Sequence, residues 1–178
     1  MLEVRHLSAH YGQAQALFEI SFQVPRGSMV LVQGLNGAGK STLLKAIMGL
    51  MPQVQGEILW QGERLMSLAP HERSQRGLGY VPEDRRLFSA LTVRQNLEIA
   101  IPRVQKQHAQ GPAPVRLNDV LALFPALEGM LERPAAQMSG GEQQMLALGR
   151  TLMTQAHMLL LDDPCEGISP VLVQSIAR

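Results

Sequence analysis

The stretch Met29-Val-Leu-Val-Gln33-Gly34-Leu-Asn-Gly-Ala-Gly39-Lys40-Ser41-Thr42 decides how this chain is read. Its first five residues are almost all apolar, as in a short strand covered on both faces. Gly34 to Gly39 is a glycine-rich loop. From Ser41 to Leu50 the apolar residues Leu43, Leu44, Ile47 and Met48 recur at helical spacing. Strand, loop and helix frame the pattern G-x-x-x-x-G-K-[ST], a phosphate loop. A triphosphate concentrates negative charge, and successive backbone N–H groups face it only where the chain wraps tightly, which Gly37 and Gly39 allow. The helix start adds its positive end. The contacts expected are therefore Gly34, Leu35, Asn36, Gly37, Ala38, Gly39, Lys40, Ser41 and Thr42. Lys40 supplies a point charge to the β- and γ-phosphates, and the Ser41 hydroxyl is a ligand for Mg²⁺. A chance match in a chain this long falls well below ~1 in 100 on residue usage.

Such a loop needs a carboxylate at the tip of a neighbouring strand to complete the Mg²⁺ shell. Met158-Leu-Leu-Leu161 reads as that strand, and Asp162 is its tip. Asp163 follows as the carboxylate that polarises the attacking water. Alone, two acids after a strand are more often solvated surface; paired with Lys40 they form half of a site.

Around this centre the elements alternate. Leu2 to Leu7 and Leu17 to Val24 have a near two-residue period, the pattern of half-buried antiparallel strands. Gly56 to Trp60 and Leu78 to Val81 are further short strands, and Pro70 to Arg76 a short helix. Thr92 with Gln95, and Ser139 with Glu142, are capping boxes that open helices, the second running from about Gly141 to Met153. Leu117 to Phe124 is helical, Pro102 to Pro114 a polar loop, and Val171 to Ala177 a helix start. Strands alternating with helices predict an α/β core. The strand-free stretch from about 88 to 155 predicts an inserted helical subdomain.

Composition limits the alternatives. The chain has 178 residues, 46% apolar and 17% charged, with formal net charge +1. That is enough for one core and excludes intrinsic disorder. The charge balance gives no support to a general nucleic-acid surface. No apolar run reaches spanning length, and Met1-Leu-Glu-Val-Arg-His shows no export signal. The single Cys165 excludes an internal disulfide framework.

Met138-Ser139-Gly140-Gly141-Glu142-Gln143-Gln144 adds the third motif. In order and spacing, the three motifs resemble those of the ATP-binding subunits of ABC transporters. The resemblance implies a P-loop NTPase core with an N-terminal antiparallel β subdomain, about 1–87 and 156–178, and a helical signature subdomain, about 88–155. It implies ATP and Mg²⁺ as cofactors, with Ser139, Gly140, Gly141 and Glu142 covering the γ-phosphate of ATP on an opposite subunit. Tyr11 resembles the aromatic that stacks on adenine; alone it would be a packing residue. Glu83, in Tyr80-Val-Pro-Glu83, stands where the family usually has a Gln that senses Mg²⁺ and contacts the membrane subunit. Tyr80 to Arg85, Leu91 to Leu97, Ser139 to Ala147 and Glu166 to Pro170 look like the branch that powers bacterial importers of branched-chain amino acids, urea and short amides.

The implied partners are transmembrane permease subunits, a second ATP-binding subunit (the same chain or a sister) and, indirectly, an external solute-binding protein. The implied place is the cytoplasmic face of the bacterial inner membrane, as a peripheral subunit. Two departures stand out. Asp163 occupies a position where the family has Glu, which sets the carboxylate back by about 1.5 Å, one bond length. The chain stops at Arg178, so the C-terminal strands of the core, with the switch residue, are expected to be absent. Both keep a second function open: an ATP-binding module with negligible hydrolysis that completes a partner's site through its signature helix. A third reading, a soluble ABC protein working on DNA or ribosomes, predicts a duplicated cassette, long insertions or a basic arm.

Overall fold

The computed structural model describes residues 1–102 and 114–164. The turn at Glu166 to Pro170, the helix start at Val171, Cys165 and most of the loop from Pro102 to Pro114 lie outside them. The described chain divides into two compact units, Met1–Leu78 and Gly79 onward.

In the first unit, β1 (Leu2–Tyr11) and β2 (Ala14–Val24) form a hairpin closed by Gly12-Gln13, with Gly12 at φ 59°. β3 (Gln53–Trp60) pairs antiparallel with β1, and the two-residue β4 (Glu63–Arg64) adds an edge, giving the order β2-β1-β3-β4. The hydrophobic alternation of β1 breaks at His6, where the register with both neighbours shifts. There the Ser21 hydroxyl accepts the His6 N–H at 2.8 Å, and Ser8 Oγ accepts that of Glu19. Gly56 faces this bulge, and a Cβ there would lie 2.4 Å from the His6 carbonyl oxygen, so only glycine fits. Leu2, Leu7 and Ile58 are fully buried, each contributing about 1.5–3 kcal/mol. α1 (Lys40–Met48) and α2 (Pro70–Gln75) complete the unit.

Met29 to Gln33 departs from expectation. It forms no strand and pairs with no described residue, and Met29 and Leu31 are 77% and 75% exposed. The apolar run encodes a two-sided strand, but a strand exists only through its ladder, and no described strand takes this run as a neighbour.

β5 (Leu78–Val81), all but its first residue in the second unit, pairs with β6 (Met158–Leu161). Among the described residues between these strands there is no further strand, only one isolated bridge between Thr92 and Pro134, the helices α3 (Val93–Glu98), α4 (Leu117–Leu123) and α5 (Gly140–Met153), and short 3₁₀ turns. Val93, Leu97, Val120, Leu127 and Leu146 are fully buried in one cluster. Gly149 lets α5 approach α4, since a Cβ there would meet Val120 Cγ1 at 2.7 Å. Asn96, wholly buried, donates to the Phe88, Leu91 and Thr92 carbonyls and accepts the Phe88 N–H. It ties the entering loop to α3.

Candidate functional site

In the first unit the phosphate loop runs into α1. Gly39 caps the helix at φ 93°, with no side-chain cap and no acidic residue in the first turn. A Cβ on Gly39 would sit 3.0 Å from the Ala16 carbonyl oxygen and from Leu17, so both backbone angle and space demand glycine. Gly37, at φ 83°, makes the loop's other left-handed step. Uncapped N–H groups at the positive end of a helix favour an anion. Lys40 Nζ donates to the carbonyls of Gly34 at 3.0 Å and Leu35 at 3.2 Å. The loop thus folds over the ammonium that serves it. At the far end of α1, Arg73, only 4% exposed, donates to the Ala46 and Ile47 carbonyls.

Tyr11 ends β1 and is half exposed, with its hydroxyl 3.5 Å from Thr42 Oγ1. It is therefore not a core packing residue. The fold presents its ring next to the first turn of α1. Ser41 is partly buried and Thr42 buried, both in that turn.

In the second unit Asp162 follows β6 and is 2% exposed. Its N–H donates to the Val81 carbonyl at 2.9 Å, and the Tyr80 hydroxyl donates to its Oδ2 at 3.1 Å. Burial, then the charge of Asp162, pushes the Tyr80 phenol above its ordinary range, so it remains a donor. Asp163 is exposed, with a left-handed backbone at φ 44° that Asp tolerates better than most residues. Glu83 is exposed in the turn after β5, where the Arg85 N–H closes onto the Pro82 carbonyl.

The signature stretch forms the predicted capped helix. The Ser139 N–H donates to the Glu142 carboxylate at 2.7 Å, and the Glu142 N–H donates to Ser139 Oγ. The backbone bond, then the side-chain bond, holds the Glu142 carboxyl below its ordinary value. Gly140 and Gly141 open the fourteen-residue α5. Sequence reasoning assigned no role to Arg85, yet its Nε donates to the buried Gln144 Oε1 at 2.9 Å, fastening the Glu83 turn to α5. It also assigned none to Tyr80.

Among the described residues no three His, Cys, Asp or Glu side chains gather into a metal cluster. The candidate donors for a metal are hard oxygens, the Ser41 hydroxyl and the Asp162 carboxylate. Each, in its own unit, is an oxygen donor of the kind taken by Mg²⁺, an ion bound by one or two protein ligands together with phosphates rather than by a protein cage.

These features define a class, and comparison with known proteins agrees: residues 17–166 match the family model described as ABC transporter. The chain belongs to that family and is an ATP-binding ATPase of the cassette type. It is 43% identical over 176 residues to the high-affinity branched-chain amino acid transport ATP-binding protein BraG of Pseudomonas aeruginosa, across 99% of this chain and 74% of that one. A probable branched-chain amino acid transport ATP-binding protein, LivF of Archaeoglobus fulgidus, is 38% identical, with 99% and 73% covered. A solved ATP-binding subunit of an ABC transporter superposes with a TM-score of 0.81 at 33% identity, covering 99% of this chain and 71% of the other.

Proposed function

We propose that this chain energises an importer of branched-chain amino acids or a related small polar solute. It would hydrolyse ATP against transmembrane permease subunits, paired with a second ATP-binding subunit. The likeness to BraG over nearly the whole chain carries this reading. It favours an energising ATPase over the non-hydrolysing module. No helix of the described residues is long and apolar enough to cross a membrane. Attachment to the cytoplasmic face would come through the permease subunits, with the surface around Glu83 to Leu97 as the docking site.

Each role joins the residue's chemistry to its match with the family's motifs. The backbone N–H groups of the phosphate loop and Lys40 bind and orient the phosphates. Tyr11 offers its ring to adenine. Ser41 and Asp162 would hold Mg²⁺, which neutralises charge building on the β- and γ-phosphates. Asp163 accepts a hydrogen bond from the attacking water and aligns it. Ser139, Gly140, Gly141 and Glu142, at the start of α5, would close over the γ-phosphate on the paired subunit. The working division is a core of 1–87 and 156–178 and a helical subdomain of 88–155.

The test is single-turnover phosphate release from Mg-ATP, with Lys40→Ala as control. Release above that control is expected. Release at the control level with ATP binding intact would replace this reading by that of a module that binds and does not hydrolyse.

A further inference from the structure

We propose that Tyr80 is a positioning residue for the metal-binding carboxylate, fixing the rotation of the Asp162 side chain. The proposal rests on Asp162 being the Mg²⁺ ligand. Two consecutive residues of β5 grip Asp162 in different ways. The Val81 carbonyl accepts its N–H at 2.9 Å, which sets the backbone at the strand tip. The Tyr80 hydroxyl donates to Oδ2 at 3.1 Å, which sets the side chain. Asp162 as a whole residue is 2% exposed, so it is withdrawn from bulk water.

A metal ligand works only in the orientation the ion demands, and Mg²⁺ demands near-ideal geometry. Groups that hydrogen-bond to ligands from outside the metal's own shell supply that orientation, and their loss weakens metal binding by roughly 10–100-fold. Tyr80 meets the requirement with a stiff ring whose hydroxyl reaches the carboxylate from the neighbouring strand. The plainer role, satisfying a half-buried phenol, predicts a loss of stability and no change toward the metal.

The experiment measures ATP affinity calorimetrically on the full chain, in EDTA and across a Mg²⁺ titration. It compares the parent, Tyr80→Phe and Asp162→Asn, with thermal unfolding in parallel. Tyr80→Phe keeps the ring and loses one oxygen. The expected result is unchanged ATP affinity in EDTA, with a Mg²⁺ midpoint about 10-fold higher. Asp162→Asn should raise the midpoint further. If Asp162→Asn moves the midpoint and Tyr80→Phe does not, the positioning role is overturned and the reading of Asp162 stands. If Asp162→Asn leaves the midpoint in place, Asp162 is not the ligand and both fall.

Discussion

Arg73 Nη1 donates to the carbonyl of Ile47 at 2.8 Å, so a buried cation closes the end of the helix whose start is the phosphate loop. The same nitrogen reaches Ala46, and Nε reaches Leu68. Arg73→Met would remove these donors, leaving the Ala46 carbonyl only its bond from the Gly49 N–H, and hydrogen bonds to a charged group contribute about 1.5–3 kcal/mol. A stability loss of about 2–3 kcal/mol is expected, measured by urea unfolding.

Gly39→Ala is expected to remove nucleotide binding while sparing the sheet. The added methyl would press on Ala16 and Leu17 at 3.0 Å, at a backbone angle alanine disfavours. The loop must then unwind from the start of α1. Calorimetry with ATP should show at least a 10-fold loss of affinity, about 1.4 kcal/mol, with the far-ultraviolet circular dichroism of the parent retained.

Asp163→Glu should accelerate hydrolysis. The longer side chain advances the carboxylate by one bond, and a misplacement of about 1 Å can cost on the order of 100-fold in rate. Glutamate tolerates the φ 44° backbone less well than aspartate, so a small fall in melting temperature should accompany the gain. A single-turnover rate equal to or below the parent's would show that reach does not limit this carboxylate.

Glu83→Ala should leave ATP affinity within about 2-fold, under 0.5 kcal/mol. The residue is exposed in the turn after β5, not in the phosphate loop. Hydrolysis should no longer respond to the permease subunits, compared with and without them in reconstituted vesicles.

The Glu142 cap predicts a pH dependence. Its folded carboxyl lies below the ordinary value of 4.5, so the charged form stabilises the fold. That contribution is complete above 4.5 and disappears as pH falls through the folded value. Glu142→Gln keeps the cap and removes the charge. The stability gap between parent and variant should therefore be present at neutral pH and close in acid, followed by chemical denaturation across pH.

The two capping boxes were legible because each rests on contacts three residues apart, Thr92 with Gln95 and Ser139 with Glu142. The phosphate loop was legible for the same reason, being a continuous run whose glycines serve angles set locally. The hairpin of β1 and β2 followed from alternation, but the bulge at His6 did not, because it depends on Gly56 and Ser21 across the sheet. Met29 to Gln33 misled because apolar pattern states what a strand would bury, not which ladder receives it. Tyr80 with Asp162 and Arg85 with Gln144 stayed hidden because each bond joins residues far apart in sequence, brought near only by tertiary packing.

The two carbonyls that accept from Lys40 have a consequence for how ligands are chosen. A lysine side chain carries about 2 kcal/mol of rotamer entropy. Gly34 and Leu35 absorb that loss during folding, so the ammonium is aimed before any anion arrives. Capture then becomes an exchange of acceptors. A newcomer must outcompete two well-placed dipoles, which a dilute, weakly basic monoanion does poorly and a clustered polyphosphate does well. The held ammonium thus favours dense negative charge over a lone monoanion.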